Sequence, residues 1–202
     1  MRCLAPIILT AGVLCGCSPG PGWQRRAFAF TAPADPPAAK NQTNFASLGR
    51  VSISPLFQSR SFTYRTGENA YEQDPYAGFL IPPERALAEA IRASLHASGA
   101  FGRVVDPGSA LAPTLVAEVS VNELYGDFRK PSQPNGTMEI HFVCYEVKEG
   151  APGRIVLDKT CVRGTPLARK TPAALMEAWD IDLRQIMEEI NAEYAKASSN
   201  NR

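Results

Sequence analysis

The chain has 202 residues, a formal net charge of +1, 45% hydrophobic and 20% charged residues. That is enough for one domain with a real core. The near-neutral balance argues against nucleic acid as a main partner, which requires a basic footprint, and no long basic run would hold anionic lipid by charge alone.

The chain opens with Met1-Arg2 and a short apolar run over residues 4–14. A positive start, a brief apolar stretch and a small residue before a cleavage point predict a secretory signal over residues 1–16. The run is too short to span a bilayer, which takes about 20 apolar residues. It closes on Leu14-Cys15-Gly16-Cys17, which resembles a bacterial lipobox. That resemblance implies diacylglyceryl transfer to Cys17, cleavage after Gly16 and acylation of the new amino terminus. Cys15 is the poorer acceptor because bulky Leu14 precedes it. Acyl chains on Cys17 would hold the protein on a membrane at about 0.8 kcal/mol per buried CH₂. Removal of Arg2 leaves 20 Lys+Arg against 20 Asp+Glu.

A Pro/Gly-rich tether is predicted over 17–25 and a single domain over 26–196. Alternation predicts a short strand over 26–31, a loop to 40, and a strand over 49–55 that Pro55 ends. Residues 57–82 are the most aromatic part. A hairpin is expected there between 61–64 and 70–73, followed by a loop over 76–82. Its rings Phe62, Tyr64, Tyr71, Tyr76 and Phe79 have two readings: core beneath the first helix, or a partner-binding surface.

Residues 83–98 read as a helix. Pro83 suits the first helical position, Leu87, Ile91 and Leu95 share a face, and Gly99 suits a left-handed cap. A short strand follows over 101–105. Residues 114–122 alternate cleanly, with Leu115, Ala117, Val119 and Val121 on one side. A connection with a tight turn at Asn135-Gly136 leads to strands over 137–147 and 154–162. Thr171 caps a last helix with Pro172 at its start. Its stripe is Leu175, Trp179, Leu183, Ile186, Ile190 and Tyr194. Asp180, Asp182, Glu188 and Glu189 read as its solvated face. Residues 197–202 are expected to be a disordered tail. The order predicts an α+β fold, a mixed, largely antiparallel sheet with two main helices on one face.

Two cysteines remain beyond the signal and the anchor, Cys144 and Cys161, and an oxidising compartment favours pairing them. A four-residue loop over 151–154 would set Cys144 opposite Cys161 and Glu146 opposite Lys159, which predicts a disulfide. No metal site is predicted: His96 and His141 read as structural, and His141 with the two cysteines lacks a fourth ligand. No cofactor motif, P-loop, G-x-S-x-G elbow or H-E-x-x-H occurs.

Residues 50–194 resemble the ABC-type transport auxiliary lipoproteins, the family of paraquat-inducible protein C. The match rests on the early strand Gly49-Arg50-Val51-Ser52-Ile53 and on Phe62-Thr63-Tyr64-Arg65. A helix ending in the sequence L-H-A-S-G-A-F-G-R-V-V, the alternating strand, the hairpin and the terminal helix complete it. Where members often carry a tryptophan before the first helix, this chain has Tyr76 and Phe79. The resemblance implies a non-enzymatic lipoprotein of the outer membrane, facing the periplasm. It would serve an ABC transporter and a mammalian-cell-entry-type periplasmic protein in lipid transport, and self-association stays open. Ser18, in place of the aspartate that retains enteric lipoproteins in the inner membrane, agrees with the outer membrane. The alternative is an outer-membrane assembly or cell-wall synthase activator lipoprotein.

Overall fold

The computed structural model describes residues 25–31, 44–106 and 108–199. The predicted signal, Cys17 and all of the tether except Arg25 lie outside these residues.

The elements run β1 (Arg26–Phe28), β2 (Phe45–Ile53), a 3-10 turn (Pro55–Phe57), β3 (Ser61–Arg65) and β4 (Tyr71–Phe79). Then come α1 (Pro83–Ser98), β5 (Arg103–Val105), β6 (Leu115–Asp127), β7 (Asn135–Lys148), β8 (Ala151–Pro166) and α2 (Pro172–Ser199). The fold is α+β, with a mixed and largely antiparallel sheet of eight strands. Its spine is β6. One edge of β6 pairs antiparallel with β7 along its length. The other edge pairs parallel with β2 over Leu115–Val121 and with β3 at Gly126 and Asp127. A bulge between Val121 and Glu123 bends β6 where the two neighbours part. β8 closes the β7 side, β5 lies beyond β2, and β4 and β1 lie beyond β3.

Alternation decides which face is dry. Leu115, Ala117, Val119 and Val121 on β6 and Met138, Ile140, Phe142 and Cys144 on β7 are buried beneath the helices. α1 contributes Leu87, Ile91 and Leu95, each worth about 1.5–3 kcal/mol on burial. It ends at Gly99, left-handed at φ 61°. α2 contributes Leu175, Trp179, Leu183, Ile186, Ile190 and Tyr194, all buried. Thr171 caps it, its Oγ1 accepting from the Ala174 amide at 3.2 Å. The opposite sheet face is polar there: Tyr145 donates to Glu118 at 3.1 Å, and His141 Nε2 meets Asp158 at 2.8 Å. His141 and Cys144 therefore project from opposite faces of β7 and cannot share a metal.

Several boundaries differ from the sequence reading. β1 stops at Phe28, and Thr31 turns to α2 instead, donating its amide and hydroxyl to Asp180 at 3.0 and 2.8 Å. The stretch expected to be a loop from residue 76 is the end of β4, because β1 and β3 pair with both its edges. Pro75 is tolerated there because the β3–β4 register shifts nearby and the Asp74 carboxylate takes the amides of Tyr76 and Ala77. Asn135 and Gly136 begin β7 rather than forming a turn. Residues 197–199, expected in the tail, continue α2. The acidic face of α2 is not all solvated: Asp182 is fully buried, and Glu189 pairs with Lys159 at 3.0 Å and with Arg163.

The predicted disulfide is also overturned. The β7–β8 turn is two residues, Glu149 and Gly150, at φ 53° and 78°, with Lys148 paired to Ala151. That is the backbone of a type I′ hairpin, where glycine is favoured. Residues 151–154 are strand, so Cys144 lies opposite Leu157 and Cys161 opposite Ile140. The two thiols share a face but stand four residues apart along the ladder, about 13 Å. A disulfide accepts a Cα separation of about 7 Å at most, and both cysteines are free and buried. Glu146 pairs with Arg154 at 2.7 Å instead of Lys159.

Candidate docking surface

Beyond the β6 bulge, Leu124 and Gly126 face α2 and Tyr125 faces the opposite side. A Cβ on Gly126 would meet Leu175 at 3.1 Å. Tyr125 is covered on that outer face by Phe57, which the 3-10 turn after β2 brings across the sheet. Their ring centroids lie 5.6 Å apart. Tyr71, at the start of β4, stands edge-on to Phe57 at 6.2 Å and to Tyr125 at 5.9 Å. Arg65, paired with Tyr71 across β3–β4, lays its guanidinium over both tyrosine rings at 5.7 and 5.8 Å. Its Nη2 donates to the Glu68 carbonyl at 2.8 Å and its Nη1 to Tyr125 Oη at 3.4 Å. Burial is the main cause pushing the Tyr125 hydroxyl up, so it stays a neutral donor at physiological pH.

The cluster leaves Leu56 65% exposed and Tyr71 40% exposed. It offers the exposed edge of Tyr71 and an aliphatic side chain on a rigid aromatic base, with the Arg65 charge paired to Glu68 at 3.5 Å, which is docking chemistry.

The five rings singled out in the sequence separate. Phe62 and Phe79 are buried core, not partner-binding residues: both pack on Trp179, Phe62 edge-on at 5.0 Å and Phe79 stacked at 5.6 Å. The helix above them is α2, not α1. Tyr64 is half-buried, its hydroxyl tied to Asp74 at 2.7 Å and pushed far up by burial. Only Tyr71 and Tyr76 present large exposed area, and they stand at different ends of β4. Leu56 lies outside the segment 57–82, and Arg65, inside it, was not singled out. The signal was the aromatic density of 57–82, but nothing in it separated inward from outward rings.

A cleft lies at the opposite end of the sheet. It is open, of about 800 Å³, and runs between the ends of α1 and α2 and the β7–β8 turn, lined by Ser98, Lys148, Arg154 and Tyr194 among others. Arg154 holds the Glu146 carboxyl there below the usual carboxylate range. Among the described residues, no group of three His, Cys, Asp or Glu side chains could hold a metal ion. No helix among them is long and apolar enough to cross a membrane.

Fold and site together define a two-layer α+β domain with an aromatic surface on its helix-free face. The same fold is seen in the crystal structure of XCC0632 from Xanthomonas campestris, of the DUF330 family model. Its TM-score is 0.65 at 16% identity, over 88% of this chain and 96% of that one. A second crystal structure, of an uncharacterized protein, gives a TM-score of 0.62 at 11% identity, over 83% and 99%. A candidate lipoprotein from Caulobacter crescentus, 14% identical over 59% and 85%, reaches a TM-score of only 0.42, too low to bear on this chain. No protein-family model and no curated protein matches the chain.

Proposed function

We propose that the protein is a lipid-anchored, non-enzymatic lipoprotein of the outer membrane, facing the periplasm. It serves as auxiliary component of an ABC transporter that works with a mammalian-cell-entry-type protein in lipid transport. The observation that carries the anchor is Leu14-Cys15-Gly16-Cys17, eight residues before the described domain begins at Arg25. The family resemblance over residues 50–194 supports the transport role, and the Leu56–Tyr71 surface is where the partner docks.

Two measurements test it. Metabolic labelling with a fatty-acid analogue should mark the wild type and not Cys17→Ser; undiminished label on the variant would remove the anchor. Capture of the mammalian-cell-entry protein should weaken in Tyr71→Ala with the fold intact. Unchanged capture by the variant would overturn the Leu56–Tyr71 docking surface; no capture by the wild type, or capture of a cell-wall synthase in its place, would overturn the transport role.

A further inference from the structure

We infer that a second surface, formed by Tyr76, Leu80 and Ile81 around the Arg25 guanidinium, rests on an anionic phospholipid bilayer. This inference rests on the proposed acylation of Cys17.

Ala77 and Phe79 point into the core, so Tyr76, Gly78 and Leu80 face the outer side of β4. Tyr76 is 47%, Leu80 56% and Ile81 39% exposed. Between Tyr76 and Leu80, Gly78 leaves the space of a side chain. The Arg60 carbonyl and the Arg25 guanidinium fill it, Arg25 Nη2 standing 2.8 Å from where a Cβ would be. Arg25 Nη2 donates to Ser61 Oγ at 2.9 Å. Arg60 Nε donates to the Phe79 carbonyl at 3.1 Å, and its Nη2 donates to the Leu80 carbonyl. Both guanidiniums are thus held in place by hydrogen bonds, and bonds to the described residues use only some of their N–H donors, the group that grips phosphate. The Asp74 carboxylate is turned to the Tyr64 hydroxyl and to the amides of Tyr76 and Ala77.

The tether selects the occupant. Cys17 lies eight residues before Arg25, so a fully extended tether spans about 28 Å at most. Arg25 itself sits in the surface, so an acylated Cys17 holds that surface within about 28 Å of the headgroups. Aliphatic and tyrosine side chains flanked by arginine are what the interface of an anionic leaflet binds. Gly78 pairs with Ser61 and Tyr71 with Arg65, so a bulge in β4 leaves the two about 13 Å apart along the ladder.

The test uses the full chain, expressed so that it is processed, and reconstituted in vesicles of phosphatidylethanolamine with about 30% phosphatidylglycerol. A benzophenone amino acid is placed at Leu80 or, as control, at Val162, an exposed residue on the far edge strand β8. Phospholipid adducts are counted by mass spectrometry, and the intact mass reports acylation of Cys17. The expected yield at Leu80 is about threefold or more that at Val162, and the ratio falls in Arg25→Glu and in high salt. Equal yields on acylated protein would overturn the surface and leave the anchor standing, as would protein adducts predominating at Leu80. A mass without acyl groups at Cys17 would overturn the anchor, and the membrane surface with it.

Discussion

Thr165 on β8 donates its hydroxyl to Asp182 on α2 at 2.6 Å, inside a packed interface where Asp182 is 0% exposed. Among the described residues the second carboxylate oxygen, Oδ2, has no hydrogen-bond partner. Burial is the dominant cause pushing the Asp182 carboxyl up to about 6, against the opposing pull of Thr165 and Arg163. Below the ordinary value of 3.8, folded and unfolded chains both hold this proton. Between there and about 6 only the folded chain does, so stability falls as pH rises through that window and stays lower above it. The cost at neutral pH is roughly 3 kcal/mol. Asp182→Asn removes the charge, so its stability relative to wild type should rise by about that amount between pH 4 and 7.5. Urea unfolding at both values checks it; a pH-independent difference would contradict the assignment.

Both buried thiols should behave as free and unreactive. Burial pushes Cys144 up to about 12 and also raises Cys161, so little thiolate is present at neutral pH. Without reductant, the folded protein should resist alkylation at both positions, and the unfolded protein should take one label at each. A mass two hydrogens short at Cys144 and Cys161, with no label after unfolding, would restore the disulfide.

Trp179 is the pivot of the α2 contact, touching Phe62 and Phe79 together. Trp179→Ala should cost about 3–5 kcal/mol. Tyr71→Ala, with its ring partly in water, should cost roughly 0.5–1.5 kcal/mol. Urea midpoints for the pair separate core rings from surface rings, and equal losses would put Tyr71 in the core.

Gly78 has no room for a methyl group, because the Arg60 carbonyl occupies that side of β4. Gly78→Ala should destabilise by about 1–3 kcal/mol, since backbone rather than a flexible side chain must move. The strain should concentrate at the strand end. The amides of Phe79, bonded to Arg60, and Leu80, bonded to Phe28, should exchange faster while those of α1 hold. Uniform acceleration across the domain would refute this local account.

Much of the architecture was legible one element at a time. Pro83 and Gly99 bound α1 because they are local backbone devices, and the Thr171-Pro172 start of α2 is another. The alternation of Leu115, Ala117, Val119 and Val121 named the buried side of β6, since a strand has two faces and only one was apolar. Cys17 and its neighbours carried the anchor reading without any fold. Tertiary structure decided what depends on a neighbour. Phe62, Tyr64 and Tyr71 are equally aromatic, but only the position of Trp179 makes Phe62 core. Asp182 looked like one more acid on a polar helix face until β8 covered it. The cysteines show the reason most plainly: a strand repeats every two residues, so alternation puts Cys144 and Cys161 on one face in many registers. The two-residue turn at Glu149-Gly150, with the register shifts beyond it, chose the register that keeps them apart.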